Sequence, residues 1–139
     1  MTMLQGALLG FALWTLAILV VTVGVYRWSR ILTGRARIHE FPADAATGAD
    51  WYKRGTRAHA NCIENLPVFT AIVVTAPAGA QNQPFVGALA IGLLCARVVQ
   101  STTHMAFKET ERTVSLRFTF YSLQIAAMIA IGVLLWSHG

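Results

Sequence analysis

Charged residues are missing from three long stretches of the sequence, and their absence constrains the fold more than any other feature. No Asp, Glu, Lys or Arg occurs in residues 1–26, 65–96 or 118–139 of the 139-residue chain. A helix needs about 20 apolar residues to cross a hydrocarbon core about 30 Å thick. Charged residues make up 12% of the chain, whereas a soluble domain has about 25%. We therefore expect an integral membrane protein rather than a soluble one.

Four segments have the length and the apolar content of membrane-spanning helices. The first is followed at once by Arg27 and Arg30, and we expect it to be a retained helix rather than a cleaved signal peptide. The second carries its charges in its first half and contains Pro67 and Pro77, which membrane helices tolerate as kinks. We predict an all-α integral membrane protein, a four-transmembrane-helix bundle forming a single domain over residues 1–139, with spans at about 4–26, 51–80, 85–107 and 113–136.

The basic residues predict an orientation in the membrane. Six basic residues lie in the segment 27–54, and we interpret most of this segment as a polar loop. Lys108 and Arg112 follow the third span, whereas the turn at 81–84 has no basic residue. By the positive-inside rule, the two basic segments are cytoplasmic and both termini lie outside. In a prokaryote this describes a multi-pass protein of the bacterial inner membrane. Three units of the net charge of +5 lie in these two segments and are ascribed to topology, and the other two lie at the level of the membrane. We expect no nucleic-acid partner because the usual binding motifs are absent.

Polar side chains recur on one face of three predicted spans, although an ionisable side chain is costly in hydrocarbon. The spacing i, i+4, i+7 places its members on one side of a helix. Counting about 1.5 Å per residue puts all three sets in the cytoplasmic half of the bilayer. We therefore predict a polar cavity that opens to the cytoplasm and borders membrane lipid. The sets are Arg57, Asn61 and Glu64; Arg97, Ser101 and His104, with Gln100 beside them; and Arg117, Tyr121 and Gln124.

Structural roles for these charges stay open as alternatives. Glu64 and Arg97 could form a buried ion pair, since intramembrane charges usually pair, and Arg57 could extend to the interface without a ligand. However, the three sets hold three arginines and one glutamate, and arginine suits bidentate capture of a carboxylate. This imbalance favours an anionic ligand. We predict no metal site, and we interpret Cys62 and Cys95 as buried small hydrophobes.

Three motifs resemble one known family. The stretch RAHANCIENLPVF (57–69) looks like the second-helix signature of the MAPEG family, the membrane-associated proteins of eicosanoid and glutathione metabolism. ARVVQSTTH (96–104) resembles the third-helix segment of that family, and RFTFY (117–121) resembles its fourth-helix motif. The resemblance covers nearly the whole chain, and the chain looks like a prokaryotic-type member of the family. It implies a homotrimer that binds glutathione as co-substrate between neighbouring subunits at the cytoplasmic side.

The resemblance also implies roles for individual residues. Glu64 would receive the amino group of glutathione, Arg97 would stand near the thiol, and Arg117 and Tyr121 would hold a carboxylate or the thiolate. In our leading hypothesis Tyr121 or His104 donates a hydrogen bond to the thiolate. The resemblance implies that Arg54, Arg57, Asn61 and Glu64 bind glutathione, and we add Gln100 to the predicted binding residues because it lies beside the polar face of the third span. The implied catalytic residues are Arg117, Tyr121, Arg97 and His104.

The sequence departs from the well-known eukaryotic members of the family at several positions. Ala60 stands where they carry Arg, and Gln100 and His104 stand where they carry His and Tyr. Phe118 replaces the serine of the prostaglandin E synthase branch, which disfavours prostaglandin isomerisation. The leading hypothesis is a detoxifying, glutathione-dependent transferase or peroxidase that acts on hydrophobic electrophiles or lipid hydroperoxides. The alternative is a non-catalytic lipid- or glutathione-binding protein, and a transporter is disfavoured by the lack of inverted repeats.

Overall fold

The computed structural model describes residues 1–42 and 46–137, and the regular elements in this part of the chain are all helical. The first long helix spans Met3–Leu32 and contains one π-helical stretch, which separates α1 from α2. Two short 3-10 turns lie in the connections. The helices are α1 (Met3–Ile18), the π stretch (Leu19–Gly24), α2 (Val25–Leu32), α3 (Asp50–Thr75), α4 (Pro84–Ala106) and α5 (Glu111–Ser137), and the 3-10 turns are Ile38–Glu40 and Ala80–Asn82.

Local sequence signals fix the starts of three helices. Thr2 caps α1 by accepting a hydrogen bond from the backbone N–H of Gln5, whose side chain accepts from Thr2 N–H in return. Pro84 opens α4 at a position where its missing N–H costs nothing. Ahead of α5, Thr110 Oγ1 accepts from the N–H of Thr113 at 3.3 Å. Each signal satisfies or avoids a backbone donor that a helix start leaves unpaired.

Two helix ends differ from the sequence-based prediction. The first helix continues past Tyr26 to Leu32, where a polar loop was expected. Arg27 is held on this extension, because its Nε donates to Tyr52 Oη at 3.0 Å. The other helix, α3, ends at Thr75 rather than near residue 80, because Pro77 disfavours the helical conformation for the residue before it. Pro77 therefore lies beyond the helix, whereas α3 runs through Pro67 without interruption.

The helices pack so that α1 and α4 form the centre. The first helix packs against α3 and α4, α3 packs against α4, and α5 packs mainly against α4. Phe11 and Phe69 are fully buried where α1 meets α3, with ring centroids 6.1 Å apart. Gly55 allows a second close approach, since a Cβ there would lie 2.5 Å from Thr22 Cβ. The remaining core consists of small and branched apolar residues from all four long helices.

Three helices in the described part of the chain are long and apolar enough to cross a membrane: Met3–Leu32, Pro84–Ala106 and Glu111–Ser137. These helices also present apolar side chains outward. Val20, Ile129 and Val133 are each 62% exposed, which is unfavourable in water and expected against lipid or a neighbouring subunit. The chain is thus a helical membrane protein. Its fourth long helix, α3, is long but carries charged residues through its first half.

Candidate functional site

An open polar cavity of about 450 Å³ lies between α3, α4 and α5. Its size falls within the range of small-ligand pockets, about 300–1,000 Å³. The first half of α3, the last turns of α4 and the first turns of α5 contribute its wall. Members of all three predicted polar sets therefore meet at one end of the bundle. The lining residues are Arg57, Ala60, Asn61, Glu64, Gln100, His104, Glu109, Val114, Arg117, Phe118 and Tyr121.

Arg117 is the most shielded charged side chain of the cavity, with 16% of its surface exposed. Its Nη1 donates to Nδ1 of His104 across the α4–α5 interface. Because a guanidinium has donors only, Nδ1 is the unprotonated nitrogen and the neutral His104 ring carries its proton on Nε2. Arg117 thus fixes the tautomer of His104 and leaves an N–H donor on the ring for another acceptor.

Gln100 is oriented in a similar way by a buried residue of α5. Gln124 is fully buried, and its Nε2 donates to Gln100 Oε1 at 2.9 Å and to the carbonyl of Phe120 at 2.8 Å. The acceptor oxygen of Gln100 is therefore occupied, which leaves its amide N–H groups as donors at the cavity wall. Asn61 and Tyr121 add further polar groups at half-exposed positions. The wall consequently offers several hydrogen-bond donors to an anionic or carbonyl-bearing ligand.

Glu109 is a cavity residue that the helical spacing does not indicate. It lies in the connection between α4 and α5, and its Oε1 is 3.1 Å from Arg57 Nη1 and 3.7 Å from Arg117 Nη2. Helical spacing relates only residues within one helix, so it does not predict the position of a residue in a loop. The sequence did offer one indication of this position. Glu109 lies in a short connection, five residues after His104 and eight residues before Arg117, so it must lie near both.

Arg97 lies behind the cavity wall rather than on it. Its side chain is fully buried, with the guanidinium carbon 5.2 Å from the centroid of the Phe11 ring on α1. None of its three guanidinium nitrogens has a hydrogen-bond partner among the described residues. Its favourable electrostatic neighbours are the buried Cys62 of α3 and, on the cavity wall, Tyr121 and Glu64. The ion pairs of the described chain do not include Glu64 with Arg97, so the structural pair considered for these two residues is not formed.

Arg54 lies in a second groove beside the cavity. Its Nε donates to the carbonyl of Met105 at 3.0 Å, which ties the start of α3 to the end of α4. The groove has a volume of about 260 Å³ and shares Arg57 and Glu109 with the cavity, so the two adjoin each other. Its lining residues are Asp50, Lys53, Arg54, Arg57, Lys108 and Glu109.

The charges at the cavity differ from the sequence-based count. The pattern of three arginines against Glu64 suggested an excess of two positive charges. In the structure Arg97 does not line the cavity, and Glu109 does. Arg57 and Arg117 therefore face Glu64 and Glu109, so the formal charges cancel. An anionic ligand would have to compete for arginines that already have a carboxylate partner.

The fold and the cavity define a class: a helical membrane protein with a polar, arginine-containing cavity at one end of its bundle. The sequence matches the family model of the MAPEG family over residues 6–136. The chain therefore belongs to the MAPEG family. A comparison with curated proteins finds no match.

Proposed function

We propose that this protein is a glutathione-dependent membrane transferase or peroxidase that acts on hydrophobic electrophiles or lipid hydroperoxides. The observation that carries the proposal is the convergence of donors and charges from α3, α4 and α5 on one cavity within the matched family region. The MAPEG family includes glutathione transferases and peroxidases as well as non-catalytic members. The cavity is open, so a polar ligand can reach it directly.

The proposal includes a topology and an assembly. We take α3 as a fourth membrane span, since its 26 residues extend about 39 Å at 1.5 Å per residue. The basic segments are cytoplasmic and the termini lie outside, in a bacterial inner membrane if the organism is prokaryotic. A homotrimer would cover the outward-facing side of the cavity, where Arg57 is 68% exposed. A neighbouring subunit there would shield the charged groups from lipid.

Each polar group at the cavity has a role in this proposal. Glu64 receives the ammonium group of glutathione, and Arg57 and Arg117 hold a carboxylate, with Asn61 and Gln100 as hydrogen-bond partners. Arg54 contacts the part of the ligand that extends into the adjoining groove. The Nε2–H of His104 and the hydroxyl of Tyr121 donate to the sulfur. Arg97 acts from behind the wall, where its unpartnered positive charge favours the thiolate over the thiol.

The chemistry follows from a thiolate held beside lipid. In the transferase reaction, the sulfur forms a bond to the electrophilic carbon, the leaving group departs with its electron pair, and the thiol proton passes to solvent. In the peroxidase reaction, two glutathione thiols are oxidised to one disulfide while the hydroperoxide is reduced to an alcohol and water. Apolar substrates would enter sideways from the bilayer, since the outer faces of α4 and α5 are apolar.

The test is conjugation of glutathione to a chloronitrobenzene substrate by purified protein in detergent. Arg117→Ala should lower kcat/KM about ten- to hundredfold, because hydrogen bonds to a charged group are lost. Arg112→Ala is the matched control, since this residue lies on the same helix but does not line the cavity and should retain full activity. Glu64→Gln should weaken glutathione binding in a calorimetric titration. If the wild type neither conjugates nor binds glutathione, the proposal is overturned.

A non-catalytic lipid- or glutathione-binding protein is the second candidate, and Phe118 favours it. The ring lines the cavity and is 70% exposed, so it offers an apolar surface for an acyl chain at a position next to Arg117. This candidate predicts that glutathione or lipid binds while no conjugate forms and the thiolate absorbance of bound glutathione does not rise. The transferase proposal predicts that a conjugate forms and that the thiolate absorbance of bound glutathione rises.

A further inference from the structure

Glu109 occupies the position between two arginines that a ligand carboxylate would take. Its Oε1 contacts Arg57 of α3 and Arg117 of α5, at 3.1 Å and 3.7 Å. The two guanidinium groups belong to different helices, yet they converge on one oxygen atom. A pair of guanidiniums placed in this way is a seat for a carboxylate, because arginine donors match carboxylate oxygens in geometry and charge.

The connection that carries Glu109 allows the side chain to leave this seat. Glu109 lies after the end of α4 at Ala106 and before the start of α5 at Glu111. Its side chain is 50% exposed, so it can turn into solvent without opening the core. Arg117 is held independently by its hydrogen bond to His104. The seat would therefore keep one of its two arginines in place when Glu109 moves away.

We infer that Glu109 is a built-in competitor for the carboxylate seat, and that a ligand binds by displacing it. The inference rests on the proposed function for the identity of the natural ligand, although the seat itself is defined by Arg57 and Arg117. Displacement makes Glu109 a specificity-determining residue. A neutral molecule gains nothing from the seat, because it cannot replace the ion pairs that are lost, whereas a ligand with a carboxylate exchanges one anion for another.

The competition also accounts for the charge balance of the cavity. With Glu109 in the seat, its carboxylate and that of Glu64 match Arg57 and Arg117. With Glu109 turned outward, the cavity has an excess of positive charge and can take up an anionic ligand. Intramembrane charges are costly when unpaired, so an internal carboxylate that is replaced by the ligand keeps the arginines paired in both states.

The test compares anion binding by the wild type, Glu109→Gln and Glu111→Gln. Glu111 is the matched control because it also removes one negative charge near the start of α5, and its carboxylate forms none of the ion pairs of the described chain. The probes are glutathione and, separately, glutarate, a plain dicarboxylate, titrated calorimetrically into protein in detergent. Glu109→Gln should bind both about three- to tenfold more tightly than the wild type, because the ion pairs with Arg57 and Arg117 no longer compete. Glu111→Gln should match the wild type.

The outcomes separate this inference from the proposed function. If glutarate binds more tightly to Glu109→Gln but glutathione binds to no variant, the competitor role holds and the proposed function fails. Glutathione binding that is equal in the wild type and Glu109→Gln overturns the competitor role alone. Weaker binding to Glu109→Gln also overturns it, since Glu109 would then contact the ligand. A failure of Glu109→Gln to bind either probe contradicts the seat. Glu109→Asp, which keeps the charge on a shorter side chain, should fall between the wild type and Glu109→Gln.

Discussion

Replacing Arg97 with methionine is expected to stabilise the protein. The Arg97 side chain is fully buried, and its three guanidinium nitrogens have no hydrogen-bond partner among the described residues. Taking an ion out of water costs several kcal/mol in real proteins, even after relaxation. Stacking of the guanidinium on Phe11 at 5.2 Å offsets part of this cost, and a cation–π contact contributes only about 0.5–2 kcal/mol. Cys62, Tyr121 and Glu64 add electrostatic attraction.

The magnitude follows from these opposing contributions. Methionine is unbranched and adaptable, so it can fill most of the space that the aliphatic part of Arg97 occupies. It removes the desolvation cost and loses the cation–π contact. Replacing buried ionic groups by apolar residues of similar volume is neutral or stabilising by about 1–4 kcal/mol. We therefore expect Arg97→Met to raise the free energy of unfolding by about 1–3 kcal/mol.

The assay is equilibrium unfolding in mixed detergent micelles with increasing dodecyl sulfate, followed by circular dichroism. Arg97→Lys is the matched control, since it keeps the buried charge but loses the planar stack on Phe11, and should be less stable than the wild type. Under the proposed function, Arg97→Met should also conjugate glutathione more slowly, because a charge behind the thiolate is removed. A loss of stability of more than about 1 kcal/mol in Arg97→Met would contradict this expectation, because it would mean that the buried charge is well compensated.

Two further predictions concern the packing of the bundle. Gly55→Ala should lower the free energy of unfolding by about 1–3 kcal/mol, because its new Cβ would lie 2.5 Å from Thr22 Cβ. Gly92→Ala, whose Cβ would meet nothing within 4 Å, should show no loss in the same unfolding assay, and equal losses in the two variants would contradict the close contact. Gln124→Leu should cost about 1–3 kcal/mol, because the buried Oε1 of Gln100 loses its donor at 2.9 Å, and an unchanged unfolding midpoint would contradict the role of that hydrogen bond.

Much of the architecture could be predicted from the sequence, because it depends on the period of the apolar residues and on local signals. The charge-free stretches predicted a helical membrane protein, and the MAPEG resemblance is confirmed by the match over residues 6–136. The end of α3 was predicted too late although the signal was present, since Pro77 restrains the residue before it. The extension of the first helix to Leu32 was missed, and its contact between Arg27 and Tyr52 is a tertiary contact that local pattern does not reveal.

The candidate site was predictable only as far as helical faces allow. Spacing places Gln100 and His104 on one side of α4, and both line the cavity. Arg97 shares the same spacing but points to Phe11 of α1, because α4 has neighbours on more than one side and a face does not specify which neighbour it meets. Glu109 lies outside the helices, where periodicity carries no information. Its contacts with Arg57 and Arg117 depend on the path of the connection between α4 and α5.

The most direct test of the proposed function is the ultraviolet thiolate absorbance of glutathione bound to the wild type at neutral pH, beside that of Arg117→Ala. The cavity holds Arg117 next to His104, with Arg97 behind the wall, and cations favour the thiolate form of a nearby thiol. We expect a clear rise in thiolate absorbance on binding to the wild type and a smaller rise with Arg117→Ala. Bound glutathione that shows no rise with the wild type, or an equal rise with both proteins, would contradict it.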